Sequence, residues 1–200
     1  MSADCRKIVI TIEVPECCRD EDGEPGTGTQ GPPQPVPTPF LVVPCQPGDP
    51  GTRPISKDLA LGSQSVQANI ANPGGVWSNF EIQLSCVVTN LGAVASPAAM
   101  VEFYTGAAIG IWSPGHDTLT PAQVKAGVQL IGRASATIPP GSSVTVNCPT
   151  FWVPGSADAA QQGVLVQVRD LFLDPVTVPF DAVNDRHVAR FDAVMDPIIF

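Results

Sequence analysis

Six cysteines, two histidines and a group of carboxylates near the C-terminal end are the side chains with chemical potential in this 200-residue chain. Cys5, Cys17, Cys18 and Cys45 lie in its first quarter. Four thiolates suit a tetrahedral zinc ion, yet no Cys-x-x-Cys pair is present, and the adjacent Cys17 and Cys18 are awkward ligands for one metal. A disulfide from Cys45 to Cys5, Cys17 or Cys18 is the stronger alternative, because it would staple a segment poor in core-forming residues. Free thiols are the third. Cys86 and Cys148 fall on the apolar faces of their strands, as two small buried hydrophobic residues or as a cross-strand disulfide. Asp170, Asp174, Asp181, Asn184 and Asp185 offer oxygens close in sequence, as calcium requires, but the EF-hand spacing is absent and these residues suit turns.

His116 lies in a Pro-Gly loop and His187 at a strand start, neither beside a nucleophile motif. Gly141-Ser142-Ser143 lacks the strand-to-helix setting of a nucleophile elbow. There is no phosphate loop and no dinucleotide fingerprint. The expectation is therefore a non-enzyme with no catalytic residue, no metal and no cofactor. Trp77, Trp112 and Trp152, with Tyr104, could line a sugar-binding face or pack in a core.

Charge and composition narrow the partners. A net charge of −9 argues against nucleic acid and anionic lipid, which need clustered Lys and Arg. The apolar run Ile8 to Val14 is broken by Thr11 and Glu13, and no small-residue cleavage site follows, so no cleaved signal peptide is expected. No stretch approaches the roughly 20 apolar residues of a membrane span. Synthesis in the cytoplasm is expected, with a place in a particle or an exported assembly.

The elements that must position these residues read as strands. Asn79 to Gly92 sets Phe80, Ile82, Leu84, Cys86 and Val88 on alternate positions, the period of a half-buried strand. Further strands are expected within Leu59 to Ile70, and over Ala98 to Tyr104, Ala107 to Trp112, Val128 to Ile138, Ser143 to Val153, Gln162 to Leu173 and Asp185 to Val194. Thr120-Pro121-Ala122-Gln123 has a capping residue, a proline at the first helical position and a capping-box Gln, so a short helix should run to Gly127. The 18 glycines and 22 prolines favour short strands joined by turns. The fold class is therefore all-β: an antiparallel immunoglobulin-like sandwich of seven or eight strands with one short helix in a connection. A closed barrel is the alternative.

Residues 1–55 are read as an N-terminal strand, with Ile8, Ile10 and Ile12 on one face, and a Pro/Gly-rich extended arm carrying Phe40. Residues 56–200 are read as the sandwich, ending in an apolar tail, Ile198, Ile199 and Phe200.

Several short motifs recur in a known order: Thr-Asn-Leu-Gly at 89–92, Phe-Tyr-Thr-Gly at 103–106 and Ile-Pro-Pro-Gly-Ser-Ser-Val-Thr-Val at 138–146. Trp-x-Pro follows at 152–154, Val-Gln-Val-Arg-Asp at 166–170 and Asn-Asp-Arg-His-Val-Ala at 184–189. Over roughly residues 58–194 this resembles the immunoglobulin-like modules of the CARDB type, found in bacterial and archaeal proteins. The insertion around Gly115 to Gly127 departs from the family pattern, and the first 55 residues have no counterpart in it. The resemblance implies a non-catalytic module for adhesion, display or assembly. Two expectations result. The first is an assembly protein that docks on copies of itself or on protein partners through Ile8, Ile10, Ile12, Phe40, Ile198, Ile199 and Phe200, in a phage-tail-like particle, a capsid decoration or a filament. The second is a module that binds carbohydrate or another surface ligand.

Overall fold

The computed structural model describes residues 37–71, 81–106, 120–153 and 163–192. The chain divides between Pro35 and Val36 into two units, and the described residues belong to the second. In chain order they form β1 (Leu41–Val42), α1 (Lys57–Leu61), β2 (Val66–Ile70), β3 (Ile82–Asn90) and β4 (Ser96–Gly106). Then come α2 (Pro121–Gly127), β5 (Gln129–Ile138), β6 (Ser143–Asn147), β7 (Gly163–Arg169) and β8 (Val188–Asp192).

The strands form two antiparallel sheets, so the all-β sandwich is the observed fold. In the first sheet β3 is central, with β1 and β2 along one edge and β6 along the other. The second sheet runs β5-β4-β7-β8. Alternation in β3 turns Ile82, Leu84, Cys86 and Val88 inward, against Val101, Phe103, Val164, Val166 and Val168 of the second sheet. β7 departs from simple alternation and is buried from Gly163 through Val168. Its second face is covered by Ala60 of α1, Val124 of α2 and Ala182 of a later loop, which pack with Leu165 and Val188.

α2 forms where its capping signals place it. The Thr120 hydroxyl accepts from the Gln123 amide, and the Gln123 side chain accepts from the Thr120 amide. The strand expected within Leu59 to Ile70 is β2, Val66–Ile70, and the stretch before it forms α1, capped by the Ser56 hydroxyl. The described residues thus hold two short helices where one was expected.

The expected boundary at residue 55 moves. Leu41, Val42 and Val43 have no exposed surface, and Leu41–Val42 pairs with Thr89 and Asn90 of β3. The four apolar residues after Pro39 are enough to enter the core, while the flanking prolines keep the strand short. The expected strand over Ala107 to Trp112 lies outside the described residues.

Asn90 closes the inner face of β3, and its whole side chain is used. Oδ1 accepts from the amides of Phe40 and Gly92, both at 3.0 Å. Nδ2 donates to the carbonyls of Val94 at 2.8 Å and Ile138 at 3.1 Å. Gly92 is required beside it, since a Cβ there would lie 2.5 Å from Phe40 N and Thr38 O.

Candidate interaction site

The carboxylates near the C-terminal end organise one segment, from the end of β7 to the start of β8. Asp170 and Asp174 exchange backbone hydrogen bonds of 3.1 and 3.2 Å, closing a turn over Leu171, Phe172 and Leu173. Asp170 Oδ1 accepts from the amides of Phe172 and Leu173, and Oδ2 accepts from Ser96 Oγ at 2.7 Å. Burial pushes the Asp170 carboxyl up, but the bonds from Ser96, Leu173 and Phe172 outweigh it and hold it below its ordinary value.

At the other end of the turn, Asp174 Oδ2 accepts from Leu41 N at 2.6 Å, and Oδ1 accepts from Arg186 Nη2. The Arg186 guanidinium also lies 4.0 Å over the Phe40 ring. His187, with no exposed surface, stands between two carboxylates. Its Nδ1 is 2.6 Å from Asp185 Oδ1. Its Nε2 is 3.2 Å from Asp174 Oδ1, an ion pair when the ring is protonated. Asp185 Oδ2 in turn takes Thr177 N, Thr177 Oγ1 and Val178 N at 2.6, 2.8 and 2.6 Å.

Burial disfavours the charged imidazole, but the nearby Asp174 and Asp185 outweigh it and raise the His187 pKa above 6.5. Burial also opposes the Asp185 charge, yet the bonds from His187, Val178 and Thr177 hold its carboxyl well below the usual range. With His187 protonated, Asp174, Asp185, Arg186 and His187 balance to zero charge, the condition under which such a buried group is tolerable.

This arrangement is a brace. A His between two Asp residues has the parts of a relay, but both ring nitrogens face carboxylates and the ring is sealed from solvent, so no substrate reaches it. Calcium does not suit the carboxylates either. Asp170, Asp174 and Asp185 are filled by N–H and O–H donors, and Asp181 accepts from Val183 N, Asn184 N and Asn184 Nδ2. Among the described residues no group of His, Cys, Asp and Glu is arranged to hold a metal ion.

What the brace presents is apolar. Phe172 is 91% exposed, with Leu171 at 56% and Leu173 at 41%. Sequence reasoning missed this tip because Leu171-Phe172-Leu173 continues the apolar run of β7 and reads as strand. The paired Asp170 and Asp174 were the available signal of a turn.

The expected interaction residues fall elsewhere. Phe40 is half-buried under Arg186 and is part of the sandwich. Ile8, Ile10, Ile12, Ile198, Ile199 and Phe200 lie outside the described residues, as do Cys5, Cys17, Cys18, Trp77, Trp112 and His116. Cys45, Cys86 and Cys148 are buried free thiols, and burial raises the pKa of each. β3 and β6 are neighbours, as the sequence suggested, but Cys86 stands opposite Val146 while Cys148 N bonds to Leu84 O. The two cysteines are diagonal to each other, and the disulfide does not form. Trp152 is buried, and Tyr104 is half-buried and packs edge-on against Phe180 at 5.1 Å.

No family model matches the chain, and no curated protein matches it. Among solved structures, the crystal structure of Beta-D-glucoside glucohydrolase from Trichoderma reesei aligns at 17% identity with a TM-score of 0.28. The alignment covers 64% of this chain and 17% of that one, and a likeness at that score carries no functional weight.

Proposed function

We propose that this chain is a non-catalytic assembly protein, an immunoglobulin-like sandwich of the CARDB kind. It docks through a preformed apolar tip onto protein partners within a larger complex, such as a phage-tail-like particle, a capsid decoration or a filament. One observation carries this reading: Phe172 is held 91% exposed on a turn whose two ends are fixed by buried hydrogen bonds. A large apolar side chain left in water costs stability, and full burial of a Phe is worth about 1.5–3 kcal/mol. A turn already fixed loses little entropy on docking, so most of that gain appears as affinity. Aromatic anchors of this kind are the residues that dominate binding at interfaces. The N-terminal segment with Ile8, Ile10 and Ile12 and the tail Ile198-Ile199-Phe200 are further contacts in the same reading, the first by adding a strand to a sheet edge.

The test compares tagged full-length wild type with Phe172→Ser in the complex each brings down from its native source, measured by mass and stoichiometry. The expected result is one defined complex for wild type and its loss for the variant. An identical complex for both, or a monomer that retains glycans, would overturn the reading.

A further inference from the structure

Sheet edges are where one β-protein can join another, because their outer N–H and C=O groups are unpaired. Most edges of this sandwich are short or covered. The outer side of β8 meets the segment after α1, through a Gly62–Phe191 bridge and a bond from Ser63 N to Arg190 O. β1 spans two residues, and the amide of Leu41 is taken by Asp174. β2 and β6 span five residues each.

β5 differs. It runs for ten residues, and β4 is its one hydrogen-bonded neighbour among the described strands. In its sequence, QLIGRASATI, Gly132, Ala134 and Ala136 face the core, while Arg133, Ser135 and Thr137 are exposed. One edge-guarding device is a bulge at Ile131, where β5 advances two residues against one of β4, and the stretch from Gly132 to Ile138 lies beyond it. There is no proline within the strand, and its one charged residue, Arg133, leans back to within 3.8 Å of Glu102 Oε1 on β4. β5 also contains no carboxylate, in a chain whose net charge of −9 repels its own copies. It is therefore a place where two copies can approach closely.

We propose that β5 pairs antiparallel with β5 of a second copy across a two-fold axis, joining two four-stranded sheets into one continuous sheet. Pairing centred on Ala134 or Ser135 sets Arg133 opposite Ser135 or Thr137 of the copy, so the two arginines do not meet. A single strand pair buries less than the roughly 800 Å² per partner of a standard interface, so the dimer is weak, with a Kd on the order of 10–100 µM. Its association strengthens with added salt, because screening relieves the repulsion between the two acidic bodies. This surface does not involve Phe172, so the inference stands apart from the docking tip.

Sedimentation equilibrium of the full chain from roughly 1 to 300 µM tests it, a range set to bracket that affinity. Wild type should dimerise reversibly, and Ser135→Lys, at an exposed position, should weaken the dimer at least about tenfold with an unchanged melting temperature. Hydrogen exchange on wild type should show β5 amides gaining protection with concentration. A monomer at every concentration overturns the proposal, as does a dimer indifferent to Ser135→Lys. If the dimer survives Ser135→Lys but is lost in Phe172→Ser, the tip makes the contact. If it is lost only in Ile10→Asp, the N-terminal segment makes it. Either result refutes β5 self-pairing and leaves the docking function in place.

Discussion

His187 Nδ1 lies 2.6 Å from Asp185 Oδ1, and both side chains are shut away from solvent. The pair fixes the protonation of the segment that carries the apolar tip. His187 has a folded pKa above its ordinary 6.5, so the stability it contributes is fully present below about 6.5 and is lost as pH rises through the folded value. Asp185 has a folded pKa below its ordinary 3.8, so its contribution is present above about 3.8 and is lost as pH falls through the folded value. Melting temperature should therefore be highest between roughly pH 4 and 6.5 and decline on both sides. His187→Gln should flatten the alkaline limb, and an alkaline limb unchanged in that variant would show that another group sets it.

The tip and its brace should separate cleanly on mutation. Phe172→Ser should change stability by no more than about 0.5 kcal/mol, since the ring is almost wholly exposed. Asp170→Ala removes the acceptor for Ser96 and for two tip amides, and should cost about 2 kcal/mol in urea unfolding. The same variant should speed hydrogen exchange at Phe172 and Leu173. Equal costs for both substitutions would contradict this division of roles.

Asn90 should be among the most sensitive polar positions in β3. Asn90→Ala strands two amides and two carbonyls at the junction of β1, β3 and β5, at a cost of about 3 kcal/mol. Asn90→Asp should be no better, because a carboxylate would face the carbonyls of Val94 and Ile138 where an N–H₂ group stood. Chemical denaturation ranks the three proteins, and a stable Asn90→Asp would count against the assigned orientation of the amide.

Gly132 and Cys148 should be coupled. A Cβ on Gly132 would stand 2.9 Å from Cys148 Sγ, so Gly132→Ala should destabilise by about 1–3 kcal/mol. Cys148→Ala should relieve part of that loss, leaving the double mutant less destabilised than the sum of the two single variants in a double-mutant cycle. Cys45, Cys86 and Cys148 should also resist alkylation in the native protein and react once it is unfolded, since burial keeps each thiol protonated.

The frame of the fold was legible where one physical rule dominated. The two-residue period read from Ile82 to Val88 matches β3, and the capping box of α2 acts within four residues of sequence. The readings failed where partners distant in sequence decide the outcome. Phe40 joins the sandwich because Arg186 and Asn90 receive it, and neither is visible from the Pro-rich segment around it. The turn at Asp170 to Asp174 ends β7 because Ser96 and Leu41 hold its carboxylates. Asp174 and Asp185 read as turn residues and candidate calcium ligands until the fold brings His187 between them and Arg186 onto Asp174. The Ser56 cap of α1 was readable, but the mixed pattern from Leu59 onward masked it.

The two ends of the tip are anchored in different layers. Asp170 is tied to Ser96 at the start of β4, and Asp174 to Leu41 of β1, which lies in the opposite sheet. A tensile load applied at Phe172 is therefore divided between the two layers at its point of entry. A domain strung between partners under strain gains resistance to shear from that division, whatever the affinity of the contact that delivers the load.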